Sequence, residues 1–444
     1  MKTRPLKRIL GTPTALLIGM GVAIGSGIFR TPGDVADRLH TPGIIVLAWF
    51  LGGVVVLIQG MVTAELATRF PRAGGEYVFL REAYGKFVAF FFGWAYTVFV
   101  IGGGAAMIAL AFGDFACDLL DANTEWSGPL AASAIVIVIA VNALGLRAGA
   151  GAQNVITCIK ILALLCVAVL GLTFGAATDA LPTEPAHAPG GSAVGLFIGA
   201  MLPILWTYNG TTDAVKMAEE IKEVRRTLPL ALIGSAIVLT VVYVAFNVAL
   251  MRVMPPGEMA GLASVPGEAM GRLFGPTARD AILVMAMLVC LGSLSSTVLA
   301  TIRVTFALAR DGLTFRFMSR MSKAQAPVPA LIVAGGFAVV LVMNRNFGEV
   351  LNIYFLASAV LFGLSYASLI VFRLRDHTRC PLIFRCPFGI ALAVILILIQ
   401  LALAISIALE NPVDAGYTAL MLAVLALLYF VWKRVVPTGR TNVE

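Results

Sequence analysis

A Gly25-Ser26-Gly27 interruption inside the first long apolar run, answered by Asn209-Gly210 inside the sixth, constrains this chain more than any other feature. A helix in lipid must satisfy its own backbone. A flexible break at mid-depth therefore survives only where it lines a cavity or the protein interior. Two such breaks in oppositely running spans point to an inverted-repeat transporter, in which unpaired amides and carbonyls hold the substrate. From residue 12 to residue 25 a helix rises about 20 Å, which reaches mid-bilayer.

Composition sets the medium. The chain is 59% hydrophobic and 13% charged, with a mean hydropathy of +0.94, far too apolar for a water-facing surface. Twelve apolar runs are long enough to cross a hydrocarbon core of about 30 Å. They lie near 12–35, 42–66, 87–116, 128–146, 150–175, 193–220, 228–251, 279–308, 328–344, 348–373, 387–409 and 414–436. The expectation is an all-α integral membrane protein of about 12 transmembrane helices. Its divisions are a tail (1–11), a first repeat (12–176), a second, inverted repeat (193–373), two further helices (387–436) and a second tail (437–444). The first run has a basic start but contains Pro13 and the glycine break and lacks a persuasive cleavage site, so it reads as a retained span.

The net charge of +8 orients the protein rather than binding nucleic acid. Lys2, Arg4, Lys7, Arg8, Arg69, Arg72, Arg81, Lys86, Arg225, Arg226, Arg316, Arg320, Lys323, Arg373, Arg375, Lys433 and Arg434 all fall on one side of the expected topology. The opposite loops carry acids such as Asp114, Asp118, Asp121 and Glu125. The positive-inside bias puts both termini in the cytoplasm, in the inner (plasma) membrane. Cysteines 117, 158, 166, 290, 380 and 386 are scattered, so neither a disulfide framework nor a metal site is indicated. The segment Phe70–Gly85 alternates apolar and charged residues at helical spacing and reads as an amphipathic helix at the interface. Residues 255–276 form a longer outer loop suited to a lid.

At the first break one helix half ends near Ala23-Ile24 with free carbonyls, and the next begins at Ser26-Gly27 with free amides. The sixth span ends a half at Trp206-Thr207-Tyr208-Asn209 and restarts after Gly210. Negative and positive helix ends thus meet at one depth, an arrangement suited to a small zwitterion. Its carboxylate would sit on the Ser26 and Gly27 amides, and its ammonium on the carbonyls of Ala23, Trp206 and Asn209. The bland alternative is that Gly19, Gly21 and Gly25 only let helices pack closely. The second break, with its aromatic neighbours, argues against that.

Four motifs in order, Gly25-Ser26-Gly27-Ile28-Phe29, the loop Phe70–Tyr77, Trp206–Gly210 with Ala218-Glu219-Glu220, and Gly292-Ser293 with Arg310-Asp311-Gly312, resemble the amino acid–polyamine–organocation superfamily over essentially the whole chain. The look is nearest the bacterial L-type or cationic-type amino acid permeases. The resemblance implies a five-plus-five inverted-repeat fold with helices 1 and 6 broken, alternating access, and an α-amino acid substrate bound at Ala23, Ile24, Gly25, Ser26, Gly27, Trp206, Thr207, Asn209 and Gly210. It also implies an aromatic gate at Trp206, with Tyr208 as its companion. Two positions depart from the family pattern. Thr211 stands where L-type relatives carry an aromatic, and Thr297 near where arginine antiporters carry a Trp. With small residues at Gly102, Gly103, Gly104, Ser295 and Ser296, the side-chain pocket reads as roomy and free of an obvious acid, which favours neutral substrates.

Lys160 lies about 15 Å into the fifth span by helical rise, where an ionisable group is a functional candidate by default. In similar permeases a lysine here stands where sodium binds in sodium-coupled relatives. The resemblance thus implies sodium-independent transport with Lys160 as the coupling residue, either as a fixed charge or as a proton site. Asp213, Lys216, Glu219 and Glu220 fall on the inward half of span six. Asp213/Lys216 have the spacing of a paired face, and Glu219 or Glu220 could close a cytoplasmic gate on Arg8 or Arg69. Arg303, one face-repeat before Arg310, is a further gate candidate.

An enzyme lacks its parts: His40, His187 and His377 have no metal-ligand spacing, and no nucleophile has a neighbouring base. No filter ring suggests a channel. The expected function is secondary transport of α-amino acids by exchange or proton coupling, with no cofactor. The expected partners are an amino acid, membrane lipid and, for a symporter, protons, in a monomer or homodimer. The alternatives are a cationic amino acid or polyamine carrier on the same fold, and a non-transporting amino acid sensor.

Overall fold

The computed structural model describes residues 8, 10–143, 150–175, 192–319, 328–375 and 384–435. Span one is two helices, α1 (Thr12–Ala23) and α2 (Gly27–Leu39), bent by 48° at the glycine break. Span two is α3 (Pro42–Arg69). A short α4 (Glu76–Tyr84) leads into span three, where α5 (Lys86–Ala95), a π-helical stretch Tyr96–Gly102 and α6 (Gly103–Leu119) run on. Spans four and five are α7 (Ser127–Ala143) and α8 (Ala150–Phe174). Span six is α9 (Ala193–Tyr208) followed by a 3₁₀ run, Asp213–Glu220, and span seven is α10 (Val224–Val253). The outer loop folds into α11 (Pro256–Met259) and α12 (Val265–Phe274). Then come α13 (Pro276–Arg310), α14 (Val328–Asn344), α15 (Phe347–Arg375), α16 (Gly389–Glu410) and α17 (Pro412–Val435). Each of the twelve expected runs has its helix. Proline sits in the first turn of α1, α3, α12 and α13, where its missing N–H has no helical partner to lose.

Packing follows the order of the chain. α2 lies on α9, α3 on α10, α6 on α13 and α7 on α14, so each of the first four spans meets the span five places later. Lipid supplies no hydrophobic drive between helices, so close approach relies on small residues. Gly53 of α3 receives the Thr240 side chain of α10, and a Cβ at Gly60 would lie 3.3 Å from the Leu232 carbonyl. The third span is almost wholly buried and forms the centre, while α17 stands on the outside, nearly bare.

The amphipathic segment departs from expectation. Glu76, Tyr77, Val78, Phe79, Leu80 and Ala83 of α4 are all buried, so this helix is set into the protein rather than laid on the membrane surface. Gly74 and Gly75, with φ of 112° and 54°, make the turn that dives inward. Tyr77 donates to Asp311 at 2.8 Å and Arg81 pairs with the same carboxylate at 2.8 Å. At this end of the bundle Leu10 is stitched to the segment after span six, its N–H donating to Glu220 O (3.0 Å) and its carbonyl accepting from Lys222 N (2.8 Å). At the opposite end α11 rests on α2, where a Cβ on Gly33 would come within 2.7 Å of the Leu262 carbonyl. The loop therefore covers α2, the second half of span one.

Candidate functional site

The two breaks touch. Gly210 has φ +105°, and a Cβ there would sit 2.6 Å from Val22 Cγ1 and 2.9 Å from Ala23 N. A Cβ on Gly27 would sit 2.6 Å from Thr207 Oγ1, and one on Gly19 2.7 Å from Thr211 O. The close-packing role of these glycines is real, and it is what brings both sets of helix ends to one place. Thr31 Oγ1 and Thr207 Oγ1 share a hydrogen bond of 2.7 Å across the same seam.

Lys160 reaches the first break from α8. Its ammonium donates to Gly21 O (3.2 Å), Ile24 O (2.9 Å) and Ser293 Oγ (2.6 Å), and Ser293 Oγ donates to Ile24 O (3.1 Å). Only 3% of Lys160 is exposed. A buried cation is tolerated where it ends a helix, because the carbonyls at the C-terminus of α1 present partial negative charge. Tyr243 bridges the two carbonyl ends, its OH lying 3.1 Å from Ala23 O of span one and 3.4 Å from Thr207 O of span six, and at span six Asn209 N donates to Trp206 O (3.0 Å). Of the carbonyls expected to receive an ammonium, Trp206 O accepts one hydrogen bond and has a lone pair to spare, while Ala23 O already accepts two, from Gly25 N (2.8 Å) and Tyr243 OH.

Between the breaks lies a small cavity of about 50 Å³. Ala23, Gly25, Ser26, Gly27, Trp206, Thr207, Asn209 and Gly210 line it, as the sequence led one to expect. Ser26 Oγ is buried there with no hydrogen-bond partner, and the first N–H groups of α2 beside it have no acceptor within the helix. Trp206 packs edge-on against Tyr354 (centroids 5.1 Å apart), and its ring reaches over Gly104. Val22, Val100 and Ile108 supply apolar wall.

Several expected residues fall elsewhere. Ile24 is fully buried behind the break, where its carbonyl meets Lys160 and Ser293. Tyr208 is fully buried away from the cavity, its hydroxyl on Trp49 O (3.1 Å) and its ring against Trp49 and Tyr243. Helical rotation turns alternate aromatics to opposite faces, so Trp206 faces the cavity and Tyr208 the packing seam. Among the small residues, Gly104 lines the cavity, Gly102 abuts Phe337, and Ser295 bonds Asn142. Glu219 faces Arg310 at 3.7 Å rather than Arg8 or Arg69, and Arg69 bonds Glu65 at 3.3 Å. Glu220 contributes its main-chain carbonyl to the Leu10 stitch. The side chains of Thr297 and Arg303, and residues Arg320, Lys323 and Cys380, lie outside the described residues.

Sequence reasoning missed four contributors. Tyr96 enters from the π-helical stretch of span three, a distortion that often marks a functional site. Tyr354 comes from α15 and receives a hydrogen bond from the Asn209 amide. Asp213 and Lys216, paired at 2.5 Å as their spacing suggested, also line the cavity, so it does hold an acid, matched by its own cation. Lys216 lies 5.1 Å from the centre of the Tyr96 ring. The spacing of the pair, one turn past a break, was the available signal.

Beyond the cavity, charges hold both ends. At the Leu10 end, Glu65 accepts from Arg373 (2.6 Å) and from Cys386 N (2.8 Å), besides Arg69. At the lid end, Arg30 of α2 pairs with Asp114 of α6 and lies 4.5 Å from the Phe347 ring of α15, while Ser127 donates to Asp114 at 2.5 Å.

The family described as amino acid permease matches residues 10–432. Among curated relatives, the b(0,+)-type amino acid transporter 1 of Mus musculus is 28% identical over 401 residues, covering 89% of this chain and 82% of that one. The serine/threonine exchanger SteT of Bacillus subtilis (strain 168) is 28% identical over 311 residues, 68% of each chain. The large neutral amino acids transporter small subunit 2 of Oryctolagus cuniculus is 26% identical over 382 residues, covering 83% and 70%.

Proposed function

This chain belongs to the amino acid permease family, and from that premise we propose that it is a sodium-independent secondary transporter of α-amino acids working by alternating access. The observation that carries the reading is the Lys160 ammonium seated in the carbonyl end of α1, against the wall of a cavity formed by two touching helix breaks. A permanent cation there does the electrostatic work that a bound metal cation would otherwise do, offsetting the partial negative charge of the helix end. The substrate carboxylate takes the amides and hydroxyl at Ser26-Gly27, the ammonium takes carbonyl lone pairs at Trp206 and Asn209, displacing Tyr243 where it also reaches Ala23, and Trp206 closes over both.

Neutral substrates suit the wall of Val22, Val100, Gly104 and Ile108 best, because the cavity's one acid already holds a cation. A cationic amino acid or polyamine is the second reading, favoured by the Asp213 carboxylate in the lining. The basic side of the topology supports cytoplasmic termini in a plasma membrane, with residues 12–176 and 193–373 as the two inverted repeats. Secondary transport of this kind leaves no chemical step for an enzyme to perform.

The test is uptake of labelled neutral amino acids into sodium-free proteoliposomes, with and without unlabelled amino acid inside. Uptake that needs preloading makes the protein an obligatory exchanger. Uptake abolished by sodium removal, or unchanged in Lys160→Ala, would overturn the fixed-cation reading. Binding without flux in either arrangement would make it a sensor.

A further inference from the structure

A second cavity, of about 50 Å³, lies behind the first and shares Asn209, Gly210 and Tyr354 with it. The Asn209–Tyr354 hydrogen bond is thus a partition between the two. This second space is polar. Gln59, Thr63, Thr211, Ser365 and Gln400 line it, together with Glu76 from the buried start of α4. Glu76 is 5% exposed, and its Oε2 has no hydrogen-bond partner; Gln400 Oε1 and Ser358 Oγ in the same lining also have none. A carboxylate in that position lacks a bond it would have in water, and leaving such a group charged and unsatisfied is costly.

The surrounding charges explain what would relieve it. Lys216 and Asp213 face Glu76 from the 3₁₀ run, Tyr366 from α15 and Tyr96 from span three; Arg81 and Asp311 engage each other and Tyr77 instead. Lys216 is bonded to Asp213 at 2.5 Å, so its charge is already matched. An ionised Glu76 therefore leaves one unmatched negative charge beside the substrate cavity, and a neutral Glu76 leaves none.

We infer that Glu76 is the proton-binding group of this transporter, taking a proton from water in the second cavity and sensing the substrate across the Asn209–Tyr354 partition. The inference rests on the transport reading above. It assigns Lys160 the fixed charge and Glu76 the exchangeable proton: the carboxylate takes the proton on one face of the membrane and returns it on the other. Burial pushes the Glu76 carboxyl above its ordinary range, with the Lys216 ammonium opposing. Because Asp213 and Lys216 line the substrate cavity and flank Glu76, a change in its charge is felt where substrate sits.

The experiment uses the full chain in proteoliposomes loaded with a trapped pH-sensitive dye. Labelled amino acid counterflow is measured at equal pH on both sides, then with an inward proton gradient. The wild type should be accelerated several-fold by the gradient, and external amino acid should acidify the lumen. Glu76→Gln should keep counterflow at equal pH and lose both the acceleration and the dye signal, and Glu76→Asp should restore them. Should the Glu76 variants fail to fold, Gln400→Leu, which removes polar wall from the second cavity, should shift the pH profile of uptake. A wild type indifferent to the gradient, a gradient response intact in Glu76→Gln, a pH profile unmoved by Gln400→Leu, or acceleration by a sodium gradient in place of protons each overturns the inference. No counterflow in the wild type under any condition would instead overturn the transport reading itself.

Discussion

The two helix breaks do similar work by different means. The break in span one is short, and its carbonyl end is held by a distant cation, Lys160, with Ser293 beside it. The break in span six is longer. It shares a neutral hydroxyl, Tyr243, with the first break, passes through a glycine of positive φ at Gly210, and continues as a 3₁₀ run instead of an α-helix. The first break is thus imposed by tertiary partners, while the second is written largely into its own sequence. A 3₁₀ run has poorer hydrogen bonds than an α-helix and commonly marks a hinge. Span six is therefore the more deformable of the two, and span one the more rigidly charged.

Glycine substitution should give the largest contrast. Gly210→Ala puts a side chain at φ +105° and against the backbone of Ala23, whereas the nearest neighbour of a Cβ on Gly25 is Ser293 at an ordinary 3.6 Å. Backbone strain of about 1–3 kcal/mol plus the clash should make Gly210→Ala lose nearly all uptake. Gly25→Ala should stay within about threefold of wild type, the strain being absent. Equal losses in the two would break the distinction.

Next comes the cation. Lys160→Met leaves Gly21 O without its donor and Ile24 O with Ser293 Oγ alone in a dry interior. Charged hydrogen bonds are worth about 1.5–3 kcal/mol each, so uptake should fall by more than about tenfold, with thermal stability in detergent lowered as well. Ser293→Ala removes one neutral partner and should cost about 1 kcal/mol. Tyr243→Phe, which removes the neutral hydroxyl shared by Ala23 O and Thr207 O across the two breaks, should also cost about 1 kcal/mol and slow uptake only a few-fold. A Tyr243→Phe loss as deep as that of Lys160→Met would show that both breaks depend on tertiary capping. The smallest effect is expected in the lid. The exposed Arg272–Glu258 pair contributes about 0–1 kcal/mol, and Arg272→Gln should leave uptake kinetics unchanged.

Much of this architecture could be read before any coordinates existed. Apolar run length located each helix, and the Gly25-Ser26-Gly27 and Asn209-Gly210 interruptions located both breaks, since lipid forbids unsatisfied backbone elsewhere. Lys160 was legible for the same reason: a lone cation deep in a span must answer to something. Tyr96, Tyr243 and Tyr354 were not legible, because an aromatic residue in a wholly apolar span carries no signal of which face it takes. Their partners lie far along the chain, as Asn209 does from Tyr354. The burial of α4 was missed for a related reason. Alternating charge suggests a water-facing side, but Arg81 and Tyr77 spend their polarity on Asp311, and Glu76 spends its polarity inside.

The Leu10 stitch turns the start of the chain into part of the moving machinery. Two main-chain hydrogen bonds fasten Leu10 to the end of the more deformable break, so whatever displaces the 3₁₀ run displaces Leu10 with it. The protection of the Leu10 and Lys222 amides from deuterium would tick with each opening of that face.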